Sequence, residues 1–152
     1  MIRETYPPYP PLGRSLRLAT AADIPRMADL SVLGFRDSEI FRFERPRYNE
    51  FPQDAVASFA NTYRSQLLDP QVVVIVAEDL RESNELSHFQ QTGALEESVV
   101  VGVASWHFPE GSPRTGQFTV PIVGDPWPAP DRDLCQRRFD LFTRFNKASE
   151  QK

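Results

Sequence analysis

A chain of 152 residues has room for one domain, and a compact fold of that size removes roughly 70% of its extended surface from water. Seventeen basic against 21 acidic residues leave a formal charge of -4, so no general field draws nucleic acid or anionic lipid, and no local basic patch replaces it. The one cysteine, Cys135, excludes an internal disulfide and a thiolate metal cluster, and fits a reducing compartment. The N-terminus lacks the apolar core of a secretory signal, and the longest apolar run, residues 72–77, is too short to span a bilayer. These features predict a cytoplasmic protein with neither a nucleic-acid nor a membrane partner.

Four of the 14 prolines fall in the first eleven residues, around Tyr6 and Tyr9, where fixed φ and missing N–H groups favour polyproline II. Residues 1–14 are expected to form a disordered arm, with residues 15–152 as a single domain. The arm matches the Pro-x-x-Pro core of an SH3 ligand twice, but Arg14 lies one position beyond the usual basic partner of the second match. Residues 15–18 alternate polar and apolar side chains, as a half-buried strand does. A helix start follows, capped by Thr20 or Asp23 with Pro25 in the first turn, and Ile24, Met27, Ala28 and Ser31 define its inner face until about Gly34.

Residues 36–50 interleave Arg36, Arg42, Arg45 and Arg47 with Asp37, Glu39, Glu44 and Glu50, which makes the stretch locally neutral and reads as a solvated loop. A second helix begins near Pro52 and Asp54, carries Val56, Phe59, Ala60, Tyr63 and Leu67 on one face, and stops at Pro70. The β-branched runs at 71–78 and 98–108 read as buried strands of a hairpin, joined through a polar, mobile tip. Six prolines between positions 109 and 130 mark an extended connection. A terminal helix is expected from about Asp131, with Asp131 and Asp133 at its positive end, Lys147 near its negative end, and Leu134, Arg138, Leu141, Phe142 and Phe145 on one face. The whole predicts an α/β protein of the α+β type, mainly antiparallel sheet flanked by helices.

The order strand, helix, helix, strand, strand resembles the N-terminal half of the GNAT superfamily of N-acetyltransferases, in particular its fungal members. Thr20, Asp23, Ile24 and Pro25 match the family's opening helix, and Val101, Gly102, Ala104 and Trp106 match its later hairpin. The resemblance covers residues 15–108 and implies a partial GNAT-like fold. It also implies acetyl-CoA as cofactor and a small-molecule or peptide amine as acceptor in complete homologues. The family's cofactor segment, a Gln/Arg-x-x-Gly-x-Gly/Ala loop opening a helix, brings backbone N–H groups to a pyrophosphate. That segment has no counterpart here: residues 90–95, QQTGAL, put Leu95 where a small residue is needed and precede a strand. The expected reading is a truncated domain that neither binds acetyl-CoA tightly nor turns over alone, and whose exposed strand edge favours self-association. The alternative is a non-catalytic interaction module using the proline-rich arm or that edge.

Phe35, Trp106 and His107 are the substrate-pocket candidates. The resemblance sets the first two beside the acceptor, and His107 titrates near neutrality. All three also read as ordinary core or surface residues, because no acidic partner for His107 is visible. His88 has no visible role, two histidines without a nearby cysteine leave no metal site, Cys135 reads as packing, and Ser105 lacks a nucleophile context. No catalytic residue is assigned.

Overall fold

In the computed structural model, which describes residues 6–80 and 98–150, the β-branched run after Pro70 forms the centre of the sheet. This strand, β2 (Val72–Leu80), pairs antiparallel with β1 (Leu16–Leu18) on one side and with β3 (Ser98–His107) on the other. Val72, Val73, Val74 and Val76 are all buried, which is why the sequence of β2 does not alternate. With four α-helices, the result is the α+β arrangement expected from the sequence.

The β2–β3 register runs from Val72 opposite His107 to Ala77 opposite Gly102, then shifts so that Glu78 faces Val100. Val101 is the extra residue of a bulge. Val100 is therefore buried and Val101 is 43% exposed. Strict alternation would place Val101 with Val103 and Ser105 on one face; the bulge breaks that parity. The polar tip between these strands, with His88 and the QQTGAL string, lies outside the described residues.

A 3-10 turn (Ala21–Asp23) leads directly into α1 (Ile24–Phe35). The Asp23 carboxylate accepts hydrogen bonds from the Thr20 N–H at 2.7 Å and the Thr20 hydroxyl at 2.9 Å, while both Arg17 Nη groups donate to it at 2.7 and 2.8 Å. Arg17 Nε also donates to Glu78 at 2.8 Å, so one guanidinium fastens the start of α1 to β1 and β2. The helix face read from the sequence is the buried one: Ile24, Met27, Ala28 and Ser31 all sit in the interior. They pack against Val56, Phe59, Ala60, Tyr63 and Leu67 of α3 (Pro52–Leu68), the predicted face of that helix.

The region read as a plain loop contains a further helix, α2 (Glu39–Glu44). Ser38 caps it by accepting the Phe41 N–H at 3.2 Å. Six residues are too few for a periodic apolar pattern to show.

After β3 the proline-rich connection runs back along α3. Val120 N–H donates to Leu67 O, Arg64 donates to Gly124 O, and the Asn61 amide both donates to and accepts from the Trp127 backbone. Arg132 then binds Asp54 in the first turn of α3 through its backbone N–H, Nε and Nη2 at 2.8 to 2.9 Å. The terminal helix α4 (Gln136–Glu150) starts later than its acidic residues suggest. Asp131 takes a left-handed φ of 51°, and Asp133 is fully buried against Arg45, so both serve the loop before α4. The expected apolar face of α4 also differs: Leu141 and Phe145 are 60% and 72% exposed.

Within the described part of the proline-rich segment, Tyr9 meets Phe118 edge-on at 5.6 Å between ring centres. Arg114 and Gln117 donate to the Pro8 and Pro7 carbonyls. Gly116 is required at that contact, because its φ is 83° and an added Cβ would lie 2.9 Å from the Tyr6 hydroxyl.

Two stability outcomes follow from these contacts. Burial opposes ionisation of Asp23, but the bonds from Arg17 and Thr20 outweigh it and hold the carboxyl below the usual Asp range. Its contribution is thus complete above the unfolded-state value near 4 and is lost as pH falls through the depressed native value. Asp23→Asn should flatten the acid limb of an unfolding free-energy profile below about pH 4; an unchanged acid limb refutes this role. Asp133→Asn leaves the Arg45 charge buried without its counter-ion and should cost about 3 to 5 kcal/mol in urea unfolding.

Candidate functional site

The C-terminal end of α1, the short α2 and the turn after it enclose a cavity of about 500 Å³ lined by Arg36, Asp37, Phe41, Arg42, Arg45, Pro46, Tyr48 and Asn49. Its apolar wall is set by Phe41, which is buried and meets the Tyr48 ring edge-on at 5.2 Å. Arg45 is held rigidly. Its Nη1 donates to Asp133 at 2.7 Å, its Nη2 donates to Ser58 at 2.8 Å, and its guanidinium lies 5.9 and 5.8 Å from the Phe41 and Phe59 ring centres.

The other two arginines are held loosely. Asp37 is shared between Arg36 at 3.7 Å and Arg42 at 3.3 Å, and all three side chains are largely exposed. Both distances are well beyond the 2.7 Å of the Arg45–Asp133 pair. The glutamates that neutralise this stretch in sequence do not line the cavity. Glu50 is bound by Arg47 at 2.9 Å outside it, and that guanidinium holds its carboxyl below the usual range. Partial burial pushes the Glu44 carboxyl up, against the pull of Arg45.

The lining offers groups that can bind a ligand but no nucleophile or base. The lining contains no serine, cysteine, histidine or lysine, and its one carboxylate faces two guanidinium groups. Among the described residues, no group of three or more His, Cys, Asp or Glu is placed to hold a metal ion.

None of the three residues singled out from sequence lines this cavity. Phe35 comes nearest: it precedes Arg36 and stacks on Phe59 with ring centres 6.3 Å apart and planes at 13°. Trp106 and His107 are exposed at the far end of β3, beside the C-terminal part of α3, where Ser105 donates to Gln66 at 2.7 Å. From Ser58 to Gln66 the helix rises about 12 Å, so Phe35 is not brought together with the other two. Cys135 is half-buried before α4, and its N–H donates to Glu44 O. The features missed from sequence are the gathering of Arg36, Arg42 and Arg45 around one cavity by the end of α1 and the short α2, and the Arg45–Asp133 pair, which spans 88 positions. Only the Ser38 cap gives a local signal for α2.

The N-termini of α1 and α3 do not fit the pyrophosphate of acetyl-CoA. Such a site needs free N–H groups at a helix N-terminus and close backbone approach. Both long helices against the sheet, α1 and α3, carry a proline at the start, and Asp23 and Asp54 already occupy their first turns. The positive-φ glycines Gly111, Gly116 and Gly124 all lie in the connection after β3, and none opens a helix.

No family model matches the chain, and no solved structure matches it. A curated protein of Stachybotrys chartarum named acetyltransferase is 56% identical to it over 149 residues, 98% of this chain. The chain spans 59% of the length of that relative.

Proposed function

We propose that residues 15–152 form the acceptor-binding part of a GNAT-type acetyltransferase, a family whose reaction moves acetyl from acetyl-CoA to an amine. The observation that carries this reading is the 56% identity to a protein named acetyltransferase along nearly the whole chain. The element order supports it, as do the residues behind the resemblance: Thr20 and Asp23 bond at the head of α1, and Val101 to Trp106 lie in β3. The acceptor is a small-molecule or peptide amine. It enters at the α1–α2 cavity, with Phe35 near the rim. No transfer step belongs to the described residues, which bind and orient; the tight acetyl-CoA site lies outside these 152 residues.

Under this reading, β3, the longer of the two edge strands of the described sheet, offers backbone groups for a further strand, including one from a second copy. Among the described residues no helix is long and apolar enough to cross a membrane.

Replacing the matched 149-residue segment of the Stachybotrys relative with this chain tests the assignment. The chimera should retain acetyl-CoA-dependent acetylation of an amine to within about tenfold; a folded chimera without activity overturns it. Calorimetry of the 152-residue chain with acetyl-CoA should show no micromolar binding, and such binding would overturn the placement of the cofactor elsewhere. Light scattering should show mass rising with concentration through the β3 edge, and a monodisperse monomer across the range would remove that edge as an assembly surface.

A further inference from the structure

We infer that the cavity between α1, α2 and residues 45–49 binds the oxyanion, a carboxylate or phosphate, of a small organic ligand. In the context of the proposed function, on which this last step rests, the acceptor amine carries an acidic group.

The charge distribution leads to this conclusion. Arg36, Arg42 and Arg45 line the cavity, whereas Asp37 is its one acidic lining residue. Asp133 balances Arg45 from behind, outside the lining, so Arg36 and Arg42 share a single carboxylate on the open side. That sharing is weak. Charge-assisted N–H to carboxylate bonds reach about 2.7 to 2.9 Å, and the Arg36 and Arg42 contacts with Asp37 stand at 3.7 and 3.3 Å. An incoming oxyanion can take both guanidinium groups in better geometry than Asp37 does.

Arg45 contributes differently. Two of its five guanidinium N–H bonds are committed, to Asp133 and Ser58, and the two flanking rings fix its plane. The fixed Arg45 guanidinium is a preorganised donor that loses little side-chain freedom on binding, whereas Arg36 and Arg42 must give some up to close on the anion. Phe41, Pro46 and Tyr48 give the same cavity an apolar wall, and a volume of about 500 Å³ suits a metabolite-sized molecule with an organic body.

The test uses the whole chain without acetyl-CoA, so its outcome is independent of acetyl transfer. Benzoate, phenyl phosphate and the uncharged benzamide are titrated while the amide signals of residues 36–49 are followed by NMR. Benzoate or phenyl phosphate should saturate and bind at least about tenfold more tightly than benzamide, and the tighter of the two identifies the oxyanion. The double variant Arg36→Gln, Arg42→Gln should weaken binding about tenfold, whereas Asp37→Asn, which removes the competing carboxylate, should tighten it about threefold. All three side chains are exposed, so both variants are expected to fold as the parent does. Equal affinity for benzamide, or binding indifferent to the arginine substitutions, or weakening by Asp37→Asn, overturns the inference. Failure here leaves the acetyltransferase reading standing, and failure of the chimera leaves anion binding standing.

Discussion

A guanidinium taken out of water must be met by a carboxylate taken out with it, and the Arg45–Asp133 pair imposes that condition on the chain. Arg45 follows α2 and Asp133 precedes α4, so satisfying one charge draws the last part of the chain against the middle. The Asp54–Arg132 contact next to it repeats the connection at the head of α3. One oxygen of Asp133 remains buried without a protein partner, as does one of Asp131, so this corner is held by charge pairing more than by complete hydrogen bonding. The pair does not guarantee stability, because desolvation offsets much of its attraction. Its effect is to specify how the α2 turn and the loop before α4 meet, and the cavity lies beside that junction.

The parts of the fold legible in the sequence are those whose pattern is local and repeated. The inner faces of α1 and α3 show in the spacing of Ile24, Met27 and Ala28 and of Val56, Ala60 and Leu67. The buried centre of the sheet shows in the unbroken valines of β2. The helix start at Thr20–Asp23 is a four-residue signal, and there the Asp23 carboxylate accepts the Thr20 N–H. Parity along β3 fails at Val101, because a bulge depends on how two strands meet and leaves no mark in one of them. The start of α4 is misplaced for a related reason: Asp131 and Asp133 look like dipole partners until Arg45 is known to claim one of them.

The site was less legible than the fold. Counting charges over residues 36–50 gives neutrality, but the cavity draws on that stretch unevenly: Arg36, Arg42 and Arg45 line it, whereas Glu39 and Glu44 do not. Phe35 stacks on the ring that flanks Arg45. Trp106 and His107 lie at another end of the molecule. The resemblance points to Trp106 and residue type to His107, and neither carries information on their distance from Phe35.

The connection after β3 has a geometric requirement of its own. From Asn61 to Arg64 the helix advances about 4.5 Å, yet the three steps from Trp127 back to Gly124 would cover about 9 Å along a polyproline II path. The surplus contour is absorbed by the bend at Gly124, whose φ is 94°, and by the reach of the Arg64 side chain to its carbonyl. The strap and the helix are therefore matched in residue count while mismatched in length. Gly124 is thus the point at which the strap turns to stay alongside α3 on its way to the buried Asp133.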